Sequence, residues 1–315
     1  MERKHYDGID WLRTIACICI VLMHMRTNND FELHGFVADR IILSFADFVF
    51  LFMTVSAFGM CAGYYENVLS GKVNWIEFYK KRYKRVLPFF SVVVLIDIIY
   101  HHDMNALIEA VPNLTMTRGL FPNDIEQIGV AWFLGVIFIF YMIFPFYCVM
   151  ISHKRNAWIA LFITMLLNYI VRTYYEVGRQ NIVYCMMYFV AGGLIYLYRD
   201  HFDNKWRIIL PIACISVVSY YLLKGAYAGL FVSASMLLLA ISMQAQYNKF
   251  IAFVSEISME VYLSHMVVFR IIGKTRINTM FGNGWVQYII TSLVVMIGTV
   301  CFVMITKRVL ERIGL

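Results

Sequence analysis

Charge is scarce in this chain: Asp, Glu, Lys and Arg make up 15% of its 315 residues, where a soluble globule has about a quarter. The hydrophobic set rises to 61% and the mean hydropathy to +0.68, which argues against a water-soluble fold and for the bilayer as solvent. A cysteine framework is also missing. The seven cysteines (Cys17, Cys19, Cys61, Cys148, Cys185, Cys214, Cys301) are odd in number, lie inside apolar runs and lack metal-ligand spacing. They read as small buried apolar residues, so neither a disulfide scaffold nor a metal is expected. No small-residue cleavage site follows the first apolar run, which carries Asp10 and Arg13, so that run is not a removable signal peptide. No linker, low-complexity tract or repeat interrupts the sequence, and it reads as one domain, 1–315, without a soluble accessory domain.

What is present is a series of apolar runs able to cross about 30 Å of hydrocarbon at about 1.5 Å per residue. They fall at 9–25, 41–62, 86–100, 129–151, 157–171, 182–198, 208–223, 226–243, 251–271 and 286–306. The third, fifth and seventh are short. The expected fold is all-α, a polytopic bundle of about ten transmembrane helices.

Ten crossings put both termini on one side, and the basic residues choose it. Seventeen lie at one set of alternate loops, among them Arg3, Lys4, the run within 72–85, Lys307, Arg308 and Arg312. Nine lie at the other set, among them Lys224, Arg270, Lys274 and Arg276. Both termini are therefore expected in the cytoplasm, in a multi-pass protein of the cytoplasmic membrane. The longest outer loop, 101–128, sets Asp103, Glu109, Asp124 and Glu126 against Arg118 alone. It is expected to be irregular or to hold a short surface helix. The inner stretch 66–85 is expected to be a basic loop facing membrane lipid headgroups or a soluble anion, which argues against nucleic acid as a partner.

Ionisable groups cost several kcal/mol each in hydrocarbon, so those within apolar runs are candidates for function. The first run carries Asp10, Arg13 and His24. Arg13 and His24 lie eleven positions apart, so a helix sets them about 20° apart in angle and about 16 Å apart in height. One face presents a cation near the inner surface and an imidazole further out, and Asp10 can pair with Arg13 one turn away. The plainer alternative is that Arg13 snorkels to headgroups and His24 sits in the outer interface.

The ninth run places Ser258, Tyr262 and His265 on one stripe and Glu256 and Glu260 on the adjacent one. A lipid-facing helix would not carry two carboxylates; the alternatives are a functional wall or a buried packing network. In Arg82-Tyr83-Lys84-Arg85, two guanidinium forks one turn apart suit phosphate oxygens, or simply anchor the helix at the inner surface. Ser56, Asp47, Asp97 and Trp132 are weaker signals, with packing or interfacial roles as their plainer reading.

The order of these elements is more specific than any one of them. Asp10-Trp11-Leu12-Arg13, ten residues and then His24 resembles the opening signature of the membrane acyltransferase-3 family. The likeness extends to Ser56-Ala57-Phe58, to the basic run ending at Pro88, to Trp132-Phe133-Leu134 with Tyr141 and Pro145, and to the element from Ser258 on to His265. One departure is Ala57, where the family usually has glycine, which puts a role for Ser56 in doubt.

The resemblance implies transfer of an acyl group, commonly acetyl, from cytoplasmic acyl-CoA to a hydroxyl of an envelope glycan or lipid-linked acceptor. It further implies that Arg82, Arg85 and Arg13 hold the phosphates of acetyl-CoA and that His24 acts as general base or acyl-carrying nucleophile. His265, Tyr262 and Glu260 then orient the acceptor or hold the His24 tautomer, with Ser56 and Ser258 beside the substrate. The competing reading is a transporter or flippase using the same intramembrane His, Glu and Arg; the absence of a Gly/Pro-broken helix pair related by a repeat counts against it. The acceptor's identity and the oligomeric state are not readable from the sequence.

Overall fold

Five helices begin where an Asn or Asp side chain accepts a backbone N–H that the first turn leaves unpaired. Asn74 takes the amide of Glu77, Asp103 that of Ala106, Asn181 that of Val183, Asn248 those of Phe250 and Ile251, and Asn283 those of Trp285 and Val286. The computed structural model describes residues 5–29, 31–121, 128–223, 225–243 and 245–314. Arg3, Lys4, Asp124, Glu126 and Lys224 lie outside the described residues.

Among the described residues all regular structure is helical. The α-helices are α1 (Asp7–Thr27), α2 (Phe48–Leu69), α3 (Trp75–His101), α4 (Met104–Leu114), α5 (Trp132–Met150) and α6 (Lys154–Tyr174). They continue with α7 (Ile182–Tyr198), α8 (Trp206–Leu223), α9 (Ala226–Ser242), α10 (Lys249–Gly273) and α11 (Gly284–Arg312).

Among the described residues, eight segments are long and apolar enough to cross a bilayer. The shorter α9, with 17 residues, and α3, whose first turns carry the basic run, correspond to the other two expected crossings. The protein is thus a polytopic helical bundle. Helix α4 has a different character. Met104, Leu107, Ile108 and Val111 are all exposed along one of its faces, the spacing of a helix that lies in a membrane surface. The first half of the 101–128 segment therefore contains a surface helix.

One expected boundary is corrected. The basic stretch 66–85 is not a loop: α2 runs on to Leu69 and α3 starts at Trp75. Lys and Arg end an apolar run without ending a helix, because their long stems carry the charge away from an intact backbone. The second crossing, expected at 41–62, lies within one helical segment, Val37–Leu69, which opens with a π-helical turn (Val37–Ile42) and a 3-10 turn (Phe45–Asp47) before α2.

Contacts between distant helices define the two ends of the bundle. Asp10, near the start of α1, accepts a hydrogen bond from Ser255 Oγ at 2.6 Å, and Lys307, near the end of α11, lies 3.6 Å from Glu256. Both chain ends therefore meet the start of α10 at one end of the bundle, here termed the basic end. Helix α10 is the best buried of the candidate spans, with 67% of its apolar window inside, against 22% for α6 and 17% for α8. The site is thus built on α10, while α6 and α8 face lipid.

Helices α2 and α7 approach closely because position 192 is glycine. A side chain there would strike the Thr54 carbonyl and the Ala57 methyl. The close approach at the Ser56-Ala57 motif is therefore supplied by a glycine on the partner helix. Gly192→Val should lower the thermal midpoint of the detergent-solubilised protein, with an overpacking cost of about 1–3 kcal/mol. Gly59→Ala, where a methyl group meets nothing within 4 Å, should leave that midpoint unchanged.

Candidate active site

Helices α1 and α10 run side by side in the same direction, and their contacts repeat. Cys17 Sγ lies 3.5 Å from the Ser258 carbonyl oxygen. Seven residues further on in each helix, about two turns, the His24 and His265 rings meet with centroids 5.0 Å apart. Between them, Tyr262 packs against Phe133 of α5 at 5.5 Å. The Ser258, Tyr262 and His265 stripe of α10 therefore faces the Arg13 to His24 face of α1.

The histidine pair has a defined hydrogen-bond polarity. His265 is fully buried, and its Nδ1 lies 2.7 Å from the Tyr262 carbonyl oxygen and 3.2 Å from that of Val261. A carbonyl only accepts, so Nδ1 carries the proton and Nε2 is left with a lone pair. That Nε2 has no hydrogen-bond partner among the described residues.

Toward the basic end, one cavity of about 110 Å³ gathers residues from five helices. Arg13 comes from α1, Ser56 and Phe52 from α2, Arg82 and Arg85 from α3, Phe133 and Tyr141 from α5, and Ser258 and Tyr262 from α10. Three guanidinium groups thus border a single space whose lining contains no carboxylate. Arg82 is held by aromatic faces, with its guanidinium carbon 4.8 Å from the centre of the Tyr64 ring, 5.1 Å from Phe78 and 5.5 Å from Tyr141. Cation–π attraction fixes the group without using its N–H donors, and its buried Nε has no hydrogen-bond partner. Cations gathered in an apolar wall without counter-charge are costly unless an anion completes them.

Several expected contacts are rearranged. No ion pair joins Asp10 to Arg13 among the described residues; the Asp10 carboxylate instead meets Ser255 Oγ at 2.6 Å and His5 Nε2 at 2.8 Å. Glu260 does not join the histidines and lies on the side of α10 facing Lys307, with its Oε1 4.0 Å from Nζ. The hydroxyls of Ser258 and Tyr262 donate to backbone carbonyls, of Ser255 at 2.8 Å and Val130 at 2.7 Å. Ser56 Oγ lies 3.3 Å from Tyr141 Oη. The arrangement as a whole is an anion-attracting cavity joined along α10 to an imidazole pair.

The acyltransferase-3 family model, described as an acyltransferase domain, matches residues 6–307 of the chain. The chain belongs to that family. It is an acyltransferase and a multi-pass membrane protein. Neither the curated proteins nor the solved structures give a match.

In this acyltransferase, single-helix spacing found the Arg13 and His24 face and the α10 stripe, but several partners lie beyond such reasoning. Tyr64 reaches Arg82 from α2 and had no local signature, whereas Phe78 lies one turn before Arg82 on α3, a spacing that could have found it. Asp97 is a structural residue: 1% exposed, it binds Arg270 of α10 at 2.7 Å and lies 3.3 Å from His101 Nδ1. Arg270→Ala leaves that carboxylate buried without its main counter-charge and should destabilise the protein by about 3–5 kcal/mol. Adding Asp97→Asn should recover much of the loss, as read from thermal midpoints in detergent.

Proposed function

We propose that this acyltransferase moves an acetyl group from acetyl-CoA on the cytoplasmic side to a hydroxyl of an envelope glycan or lipid-linked acceptor. The observation that carries the reading is the cluster of Arg13, Arg82 and Arg85 around a cavity with no carboxylate in its lining, on a helix stripe that leads to His24 and His265. Acyl-CoA is a polyanion, and guanidinium forks bind its phosphates in pairs of hydrogen bonds. The excess of basic residues near these arginines supports a cytoplasmic basic end in the cytoplasmic membrane. The narrow cavity between Phe52, Phe133 and Tyr262 suits a slender arm carrying the thioester toward the histidines.

His24 then acts as the general base. Its ring accepts the acceptor's hydroxyl proton as that oxygen attacks the thioester carbonyl carbon. The carbon–sulfur bond breaks, the ester is formed, and the imidazolium returns the proton to the departing thiolate sulfur. His265 is a positioning residue: its Nε2 lone pair, without a hydrogen-bond partner among the described residues, accepts the N–H of His24 once the substrates are bound and leaves the other His24 nitrogen free for the proton transfer. A backbone carbonyl thus takes the part that a carboxylate plays in a catalytic triad. Glu260 is left outside the reaction, stabilised by Lys307.

His24→Ala should reduce transfer by about 10²–10⁴-fold, the usual contribution of a general base. The protein should still accumulate in the membrane and bind acetyl-CoA. The readout is mass spectrometry of envelope glycans and lipids for the acetyl increment, beside CoA release from membranes. Arg82→Ala should weaken acetyl-CoA binding by about tenfold or more, since hydrogen bonds to charged groups contribute about 1.5–3 kcal/mol each. Full transfer by the His24 variant would remove the base from the mechanism, and unchanged donor affinity in the Arg82 variant would remove the phosphate site.

A further inference from the structure

Beyond His24, at the opposite end of the bundle from Arg82, a second polar constellation is assembled from separate chain segments. Asp47 ends the 3-10 turn before α2, Arg179 lies in the connection between α6 and α7, Trp132 opens α5, and Tyr220 sits near the end of α8. Tyr220 Oη donates to Asp47 Oδ2 at 2.5 Å, and the other carboxylate oxygen stands 3.8 Å from Arg179 Nη1. That separation is an ion pair but exceeds hydrogen-bond length. Among the described residues the Arg179 guanidinium has no hydrogen-bond acceptor; it lies over the Trp132 ring at 6.0 Å and within electrostatic reach of His24.

Asp47 and Tyr220 also border a cavity of about 200 Å³ with apolar walls that include Phe45 and Phe48. Gly229 of α9 keeps it open, since a methyl group there would stand 4.0 Å from Asp47 Oδ2 and 3.2 Å from Tyr188 Oη.

This pattern differs from the donor cavity in one decisive respect. Three cations without a carboxylate call for an anion, whereas one cation and one carboxylate at arm's length offer both donors and acceptors. A ring carrying several hydroxyls uses both, while its C–H faces pack on aromatic side chains. The size agrees: a cavity of about 150 Å³ holds benzene, so one of about 200 Å³ admits a six-membered ring with its substituents.

We propose that Asp47, Arg179 and Tyr220 form the acceptor subsite and that it takes a monosaccharide unit, presented to His24 from the side opposite the donor. The inference rests on the acyl-transfer reading above and adds the residues that recognise the acceptor. Asp47 receives ring hydroxyls, Arg179 donates to ring or hydroxyl oxygens, and the 3.8 Å gap between them is bridged by the sugar.

The test is saturation-transfer NMR on the protein in lipid nanodiscs, with glucose, galactose, N-acetylglucosamine and rhamnose as probes and acetyl-CoA affinity measured in parallel. At least one sugar should bind the wild type. Asp47→Asn and Arg179→Gln should each weaken it about tenfold, with acetyl-CoA affinity unchanged. Gly229→Ala, which keeps both charges but narrows the cavity, should also weaken the sugar.

Sugar affinity unaltered in all three variants, or no sugar bound by a wild type that binds acetyl-CoA, overturns the subsite. Tighter binding of inorganic phosphate in Asp47→Asn, with no sugar bound by the wild type, would likewise overturn it in favour of an anion site. Failure of acetyl-CoA to bind the wild type would instead overturn the donor reading and leave the sugar result to decide the subsite on its own.

Discussion

An ionisable group held among helices in a bilayer has no bulk water to solvate it, so it must be neutralised by the protein or by a ligand. Several charges among the described residues obey the first alternative. Asp97 meets Arg270, Glu256 meets Lys307, and Asp10 is hydrogen-bonded by Ser255 and His5. The cavity bordered by Arg13, Arg82 and Arg85 has no carboxylate in its lining. The contrast between paired and unpaired charge separates the scaffold from the site.

Keeping such a cluster in place without neutralising it takes a particular kind of support. Aromatic rings provide it for Arg82, because Tyr64, Phe78 and Tyr141 attract the cation through their faces and leave its N–H groups available. The α1 and α10 pair provides the continuation. Their parallel register repeats after seven residues, so the contact of Cys17 with Ser258 and that of His24 with His265 follow from one packing geometry. The backbone carbonyl of Tyr262 sets the protonation of His265, whose ring packs against that of His24 and whose Nε2 keeps an unpaired lone pair. Fold and chemistry are in this way linked through a single buried helix.

Much of this was legible wherever one helix carried the information. Eleven residues between Arg13 and His24, and the i, i+4, i+7 set of Ser258, Tyr262 and His265, give shared faces by arithmetic alone. Pairings across helices were not legible, since periodicity says which face a residue is on and not which helix meets it. Glu260, read on the stripe adjacent to that of His265 and given a role beside the histidines by the family resemblance, has Lys307 of α11 as its ion-pair partner. Asp10 was matched with Arg13 by the one-turn rule, and Ser255, from the far end of the chain, binds it instead. Hydropathy also misplaced the start of α3, because a basic helix is as polar as a loop. The close approach beside Ser56, which Ala57 had put in doubt, is made by Gly192 on α7, a contact visible only when both helices are in view.

The central claim is that the three-arginine cavity is the donor's phosphate site and that its passage leads to His24. Cryo-electron microscopy of the protein in lipid nanodiscs with coenzyme A tests it most directly. The account predicts phosphate density against Arg82 and Arg85, with the pantetheine arm running past Tyr262 so that its sulfur points toward His24. Coenzyme A bound elsewhere with the three arginines unoccupied, or bound there with its sulfur directed away from the histidine pair, would contradict it.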